Sequence, residues 1–188
     1  VLLGITTGAT QAQEDDKPML PDPEDITLRT IDKVVIKATY WEPKEPDKST
    51  VPIILLHGWE GNRKEYDVLG RTLQEHFDHA VISIDLRGHG GSTKQEVPAA
   101  DMDKEIDPKK MGKRDFEAMG YDVHAAKSFL LSKHKEGKLN IELLTIVGAD
   151  MGAIVAMRYA VYDWNQPRVA ARMFKRGQDV RGLVLLSP

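Results

Sequence analysis

The sequence contains no cysteine. That excludes a disulfide framework and any thiolate metal site, and it is compatible with either redox compartment. No apolar run is long enough to span a bilayer, so no transmembrane segment is expected. A basic stripe is also missing. The net charge is −3 and the 26 lysines and arginines are scattered, so nucleic acid is not an expected partner. Internal repeats and low-complexity tracts are absent as well. What is present is 188 residues, 41% hydrophobic and 29% charged, enough for one globular domain with a real core.

The first residue is Val1, not Met. Residues 1–13 (VLLGITTGATQAQ) set a short apolar piece before small residues and Ala12, the layout of the tail of a secretory signal peptide. A plain disordered end is the alternative. The expectation is an exported protein, periplasmic or secreted. Residues 14–26 hold acids and prolines and read as a linker. The domain proper is then 27–188.

Residues 27–30 and 34–41 are β-rich runs around an Asp32-Lys33 turn and predict a hairpin. Residues 51–56 (VPIILL) and 80–85 (AVISID) are short and continuously apolar, as strands buried on both faces are. Between them, 64–77 predicts a helix with Tyr66, Leu69, Leu73 and Phe77 on its inner face. Residues 93–113 are charged and irregular and read as a solvated insertion. Phe116, Met119, Val123, Ala126 and Leu130 recur at threes and fours and predict a helix over 114–134, closed by Gly137. Residues 163–175 read as a connector with a short helical piece, and 180–186 (VRGLVLL) as the last strand. Strand alternating with helix implies α/β architecture, a mostly parallel sheet flanked by helices.

The most informative stretch is 143–162 (LLTIVGADMGAIVAMRYAVY). An apolar strand pattern enters Gly148-Ala149-Asp150-Met151-Gly152, and a helical pattern follows at once. Strand, Gly-x-x-x-Gly, helix is the layout of a nucleophile elbow. The turn is so tight that only glycine fits at either end. Asp150, between them, is thrust out at the positive end of a helix.

Three motifs thus come in order: His57-Gly58 after a buried strand, Asp85-x-Arg87-Gly88-His89-Gly90-x-Ser92 after the next, and Gly148-x-Asp150-x-Gly152 opening a helix. Together they resemble the α/β-hydrolase fold superfamily. The likeness covers about 26–188, the N-terminal part of that fold, truncated after about strand six, so the chain reads as a fragment. Two departures stand out. The elbow carries Asp150 where most members carry Ser. The family's acid follows strand six or seven and its His follows strand eight, and none of His57, His76, His79, His89, His124 and His134 stands where that His belongs.

The resemblance implies that the Met151 and Trp59 N–H groups form an oxyanion hole beside Gly58, that His57 orients this loop, and that Asp85, Arg87 and His89 shape theirs. A helix dipole would keep Asp150 ionised. An ionised carboxylate attacks an sp³ carbon, displacing halide or opening an epoxide, and leaves an ester for water to hydrolyse. Within the fold, haloalkane dehalogenases and epoxide hydrolases use an elbow Asp, but with Trp after it, where this sequence has Met151, and with Pro where it has Glu60. The reading is a hydrolase acting on a small, partly apolar substrate in a pocket above Asp150, without metal or organic cofactor. Asp is also a good helix N-cap, so a catalytically silent binding or scaffold protein is the alternative. A hydrolase using another group is the third. Ser92 and Ser187 lack an elbow and an adjacent base and are not read as nucleophiles. His76 and His79 read as surface residues, Tyr159, Tyr162 and Trp164 as packing, and Trp59 either lines a pocket or covers the core.

Overall fold

Three of the short apolar runs become central strands because each is buried on both faces and too short to wind. The computed structural model describes residues 19–97, 102–167, 169–171 and 174–187. The leader-like segment 1–13 and residues 14–18 of the linker lie outside the described residues. In chain order the elements are β1 (Glu24–Arg29), β2 (Val34–Trp41), β3 (Pro52–Leu56), α1 (Asp67–Phe77), β4 (Ala80–Ile84), β5 (Lys94–Gln95), β6 (Lys104–Glu105), α2 (Lys113–Lys135), β7 (Leu144–Ala149), α3 (Met151–Asn165), β8 (Val169–Ala171), β9 (Phe174–Arg176) and β10 (Val180–Leu186).

Eight strands form one mixed sheet in the order β10-β7-β3-β4-β2-β5-β6, with β1 paired to β2. The ladder β10-β7-β3-β4 is parallel. The rest is antiparallel, contributed by the β1–β2 hairpin and the short β5 and β6. Alternate strand residues face opposite layers. Ile54, Leu56, Ile82, Ile84 and Ile146 join the larger core with Met119, Val123, Leu130, Val155 and Tyr159 of α2 and α3. Ile53, Leu55, Val81 and Val147 face the smaller core with Trp41 and Tyr66, on the α1 side. Each such aliphatic side chain contributes about 1.5–3 kcal/mol on full burial.

The structure departs from the sequence reading in four places. β1 opens at Glu24, inside the stretch read as linker. Among the described strands it pairs with β2 alone and half-buries one face, so acids are tolerated on it, and the Thr39 hydroxyl donates to Asp25 at 2.7 Å. The charged insertion 93–113 contains β5 and β6, paired through Lys94↔Glu105 and Gln95↔Lys104. The short helical piece expected within 163–175 is instead the β8–β9 hairpin, whose register runs Val169↔Arg176 to Ala171↔Phe174. Alanine's helix propensity is a weak preference that strand pairing overrides. Finally, a 3-10 turn, Arg63–Tyr66, precedes α1, and of its expected inner face only Tyr66 and Leu73 pack on the smaller core, Leu69 being 37% exposed. The fully buried residues of α1 are Gly70 and Gln74, while Phe77 is 61% exposed. Gly70 lets the helix sit on Trp41, whose ring is 2.8 Å from where a Cβ would be.

α2 matches its spacing: Met119, Val123, Ala126 and Leu130 are fully buried. Gly137, at φ +79°, turns the chain out of it. Two buried ionic clusters tie the layers. Lys127 of α2 bonds Asp163 of α3 and lies 2.6 Å from Asp179, ahead of β10. Arg87, after β4, makes four hydrogen bonds to fully buried Asp122 of α2, one of them from its backbone N–H, and two to Asp32 of the first hairpin, the closest being 2.7 Å in each case. Burial pushes the Asp122 carboxyl up to about 6 against the pull of Arg87.

Replacing Arg87 with Met would leave a buried carboxylate uncompensated, a loss of about 3–5 kcal/mol. Urea unfolding should show that loss for R87M and a smaller one for the double variant R87M/D122L. Equal losses would show that the cluster does not act as a pair.

Candidate active site

The elbow sits at the end of β7, between β3 and β10. Its tightness is a backbone contact. A Cβ on Gly148 would lie 2.3 Å from the Gly152 carbonyl oxygen, and one on Gly152 would lie 2.4 Å from that of Leu56. No side chain fits at either position. Asp150 takes the bend, at φ 48° and ψ −117°. Such a conformation typically costs a non-glycine residue about 1–3 kcal/mol, and here it leaves the side chain exposed. The Asp150 N–H donates to the Leu186 carbonyl of β10 at 2.8 Å, and its carbonyl accepts from Ala153 N–H at 3.0 Å.

The carboxylate of Asp150 does not cap α3 through its side chain. Its Oδ2 instead accepts the Trp59 N–H, across 91 residues of sequence, at 3.0 Å. The Trp59 amide, and secondarily that of Met151, hold the carboxyl below its ordinary value. The two amides expected to form an oxyanion hole therefore already face the Asp150 carboxylate. Gly58 makes the approach possible, since a Cβ there would be 3.3 Å from that of Asp150.

His57 is fully buried and holds the loop. Its Nδ1 faces the Gly58 carbonyl at 2.7 Å, an acceptor only, so Nδ1 carries the proton. Its Nε2 then accepts the Leu86 N–H at 3.0 Å, joining the ends of β3 and β4. Burial lowers its pKa, opposed by the Gly58 bond. The Trp59 ring is 40% exposed. It packs edge-on against His89 at 5.0 Å and beside Phe116 of α2 at 5.9 Å. His89 donates from Nδ1 to the Arg87 carbonyl at 3.0 Å.

The remaining motif residues tie loops. Asp85 accepts the Arg63 and Gly91 amides at 2.7 and 2.8 Å and pairs with the Arg63 guanidinium at 2.7 Å. Ser92 is buried and its Oγ accepts the Lys37 N–H at 2.8 Å. Tyr159 is buried as expected, but Tyr162 and Trp164 are 47% and 46% exposed, the Trp164 indole donating to the Val180 carbonyl at 2.8 Å. Sequence reasoning missed Phe116 and Arg63 as neighbours of the site, because both reach it only through tertiary packing. The one signal for Arg63 is its place directly after the Gly61-Asn62 turn. Asp150 stands at an open corner, and a cavity of about 680 Å³ lies elsewhere, lined by Arg87, Lys104, Ile106, Met111 and Arg114 among others. Among the described residues no group of three or more His, Asp or Glu could hold a metal ion. No described helix is long and apolar enough to cross a membrane.

The alpha/beta hydrolase fold profile matches residues 51–188. The chain belongs to the α/β-hydrolase fold family. Among curated proteins it is 28% identical over 123 residues to a protein of Saccharomyces cerevisiae described as "Probable alcohol acetyltransferase", covering 65% of this chain and 30% of that protein. Among solved structures it resembles a thermostable carboxyl esterase from Bacillus coagulans (TM-score 0.58, 16% identity, 87% of this chain and 43% of that one). It also resembles an epoxide hydrolase from Vigna radiata (TM-score 0.54, 15% identity, 88% and 40%). At these identities the likeness to the two structures is one of fold. The chain spans less than half the length of each of these proteins.

Because folded His57 resists protonation, the unfolded chain binds the extra proton first, and stability falls as pH drops through about 6.5. His57→Phe would strand the Gly58 carbonyl and Leu86 N–H, at about 1–3 kcal/mol each. Thermal melts from pH 8 to pH 5 should show a lower Tm for the variant but a shallower decline on acidification than wild type.

Proposed function

We propose that this chain carries the nucleophile and the charge-stabilising amides of a hydrolase in which Asp150 attacks an sp³ carbon of a small, partly apolar substrate. The reading rests on one observation: the Asp150 carboxylate is held by the Trp59 amide instead of capping α3. A side-chain cap would bond the second or third amide of the helix; the carboxylate instead bonds the amides of Trp59 and of Met151, the first of the helix, which supports the catalytic reading over the capping one.

In the proposed reaction the carboxylate oxygen not bonded to Trp59 donates an electron pair to the substrate carbon. The carbon–halogen or carbon–oxygen bond of a haloalkane or epoxide breaks, and its pair leaves on halide or on the epoxide oxygen, which then takes a proton. The product is an ester of Asp150. Water attacks the ester carbonyl, the oxyanion develops on Oδ2, and the Trp59 and Met151 amides are placed to receive that charge. Collapse returns the carboxylate and releases the alcohol. The proton of the attacking water goes to a base other than His57, both of whose ring nitrogens are engaged. Acyl transfer fits less well, because the amides that would hold a substrate oxyanion already hold Asp150. Export of the protein is proposed alongside, on the composition of residues 1–13 alone.

Wild-type protein should turn over short haloalkanes or epoxides and leave aryl esters untouched. Asp150→Asn should lower that rate by about 10⁴-fold or more. Intact mass under substrate should show an alkyl adduct on wild type and none on the variant. The acid limb of kcat/KM should lie below the ordinary aspartate value of about 3.9, as the depressed carboxyl requires. Equal activity of the two proteins would remove Asp150 from catalysis.

A further inference from the structure

Between α2 and α3 lies a second cavity, about 280 Å³, lined by Phe116, Gly120 and His124 of α2 and by Val155, Tyr159 and Tyr162 of α3, among others. Asp150 does not line it, so the cavity stands or falls independently of the chemistry at the elbow. Phe116, Tyr121, His124, Tyr159 and Tyr162 bring rings to the wall. Tyr159 and Tyr162 lie 5.9 Å apart with planes tilted by 41°, and His124 meets Tyr162 edge-on at 6.5 Å. Such rings take a further aromatic partner edge-to-face or offset. Two polar atoms of the wall bond each other: His124 Nδ1 and the Tyr159 hydroxyl are 3.1 Å apart. Both charged residues of the wall, Glu117 and Arg158, pair at 3.6 Å, so the cavity presents no net charge.

Gly120 supplies an independent observation. It lies well inside the helix Lys113–Lys135, where glycine costs about 1 kcal/mol relative to alanine. The other helical glycines are forced by close contacts: Gly70 by Trp41, Gly152 by the Leu56 carbonyl. At Gly120 a Cβ would meet nothing within 4 Å. Its smallness serves no packing inside the described protein; it widens the cavity. Drug-sized pockets span about 300–1,000 Å³, so this volume suits a single substituted ring.

We infer that the α2–α3 cavity is a binding site for a small, flat, uncharged aromatic molecule. Phe116 connects it to the elbow, since its ring also packs against Trp59 at 5.9 Å.

Saturation-transfer NMR on the purified protein tests this, with p-cresol and indole as probes and benzoate and benzyltrimethylammonium as charged comparators. The neutral probes should take up saturation, and the charged ones much less. Gly120→Leu favours the helix and fills the cavity, and should weaken probe binding by about tenfold. Tyr162→Ala, at an exposed position, should weaken it as well and stands in should G120L not fold. Asp150→Asn should bind as wild type does. Absence of transfer, undiminished binding in both cavity variants, preference for a charged comparator, or loss in D150N would overturn the inference.

Discussion

The fold and its site meet at one backbone contact. The first turn of α3 presses on the ends of β7 and β3 with no side chain between, glycine at both points of approach. Because main chain rests on main chain, the residue between the glycines has one way to go: out of the sheet, in a conformation that side chains rarely adopt. Ionisation, exposure and neighbours of Asp150 all follow from that compression. The bond from its N–H to the Leu186 carbonyl extends the constraint into the adjoining strand, so the corner is fixed from three sides.

Around this contact the polar residues divide their work. His57 spends both ring nitrogens joining two strand ends, Asp85 gathers Arg63 and Gly91, and Arg87 spans from the first hairpin to α2. None is arranged as a proton donor or acceptor toward Asp150. They bring one amide, that of Trp59, to the carboxylate and keep it there. Titratable residues near the corner are thus used as girders, and the Asp150 carboxylate is held by two peptide N–H groups.

The central strands were legible because burial on both faces writes itself as unbroken apolar runs. The elbow was legible because a steric requirement writes itself as glycine. α2 announced its face through Met119, Val123, Ala126 and Leu130. What the sequence hid shares one property: it depends on a partner far along the chain. β5 and β6 exist only because Lys94 meets Glu105, and β8 only because β9 lies beside it. Half of the expected α1 face, Tyr66 and Leu73, packs inward, while Leu69 and Phe77 do not. Residue type alone made Asp150 either nucleophile or cap. The bond that bears on that choice comes from Trp59, 91 residues away, and no local pattern encodes it.

The two amides at the corner belong to Trp59 and Met151, yet neither contributes through its side chain. Drift at either position leaves the donors intact; among the twenty residues only proline deletes one. The pair of donors is therefore insulated from most single substitutions next to it, and what they face is decided by the identity of residue 150. A lineage could exchange the side chain at that position while inheriting the electrostatic cradle unchanged.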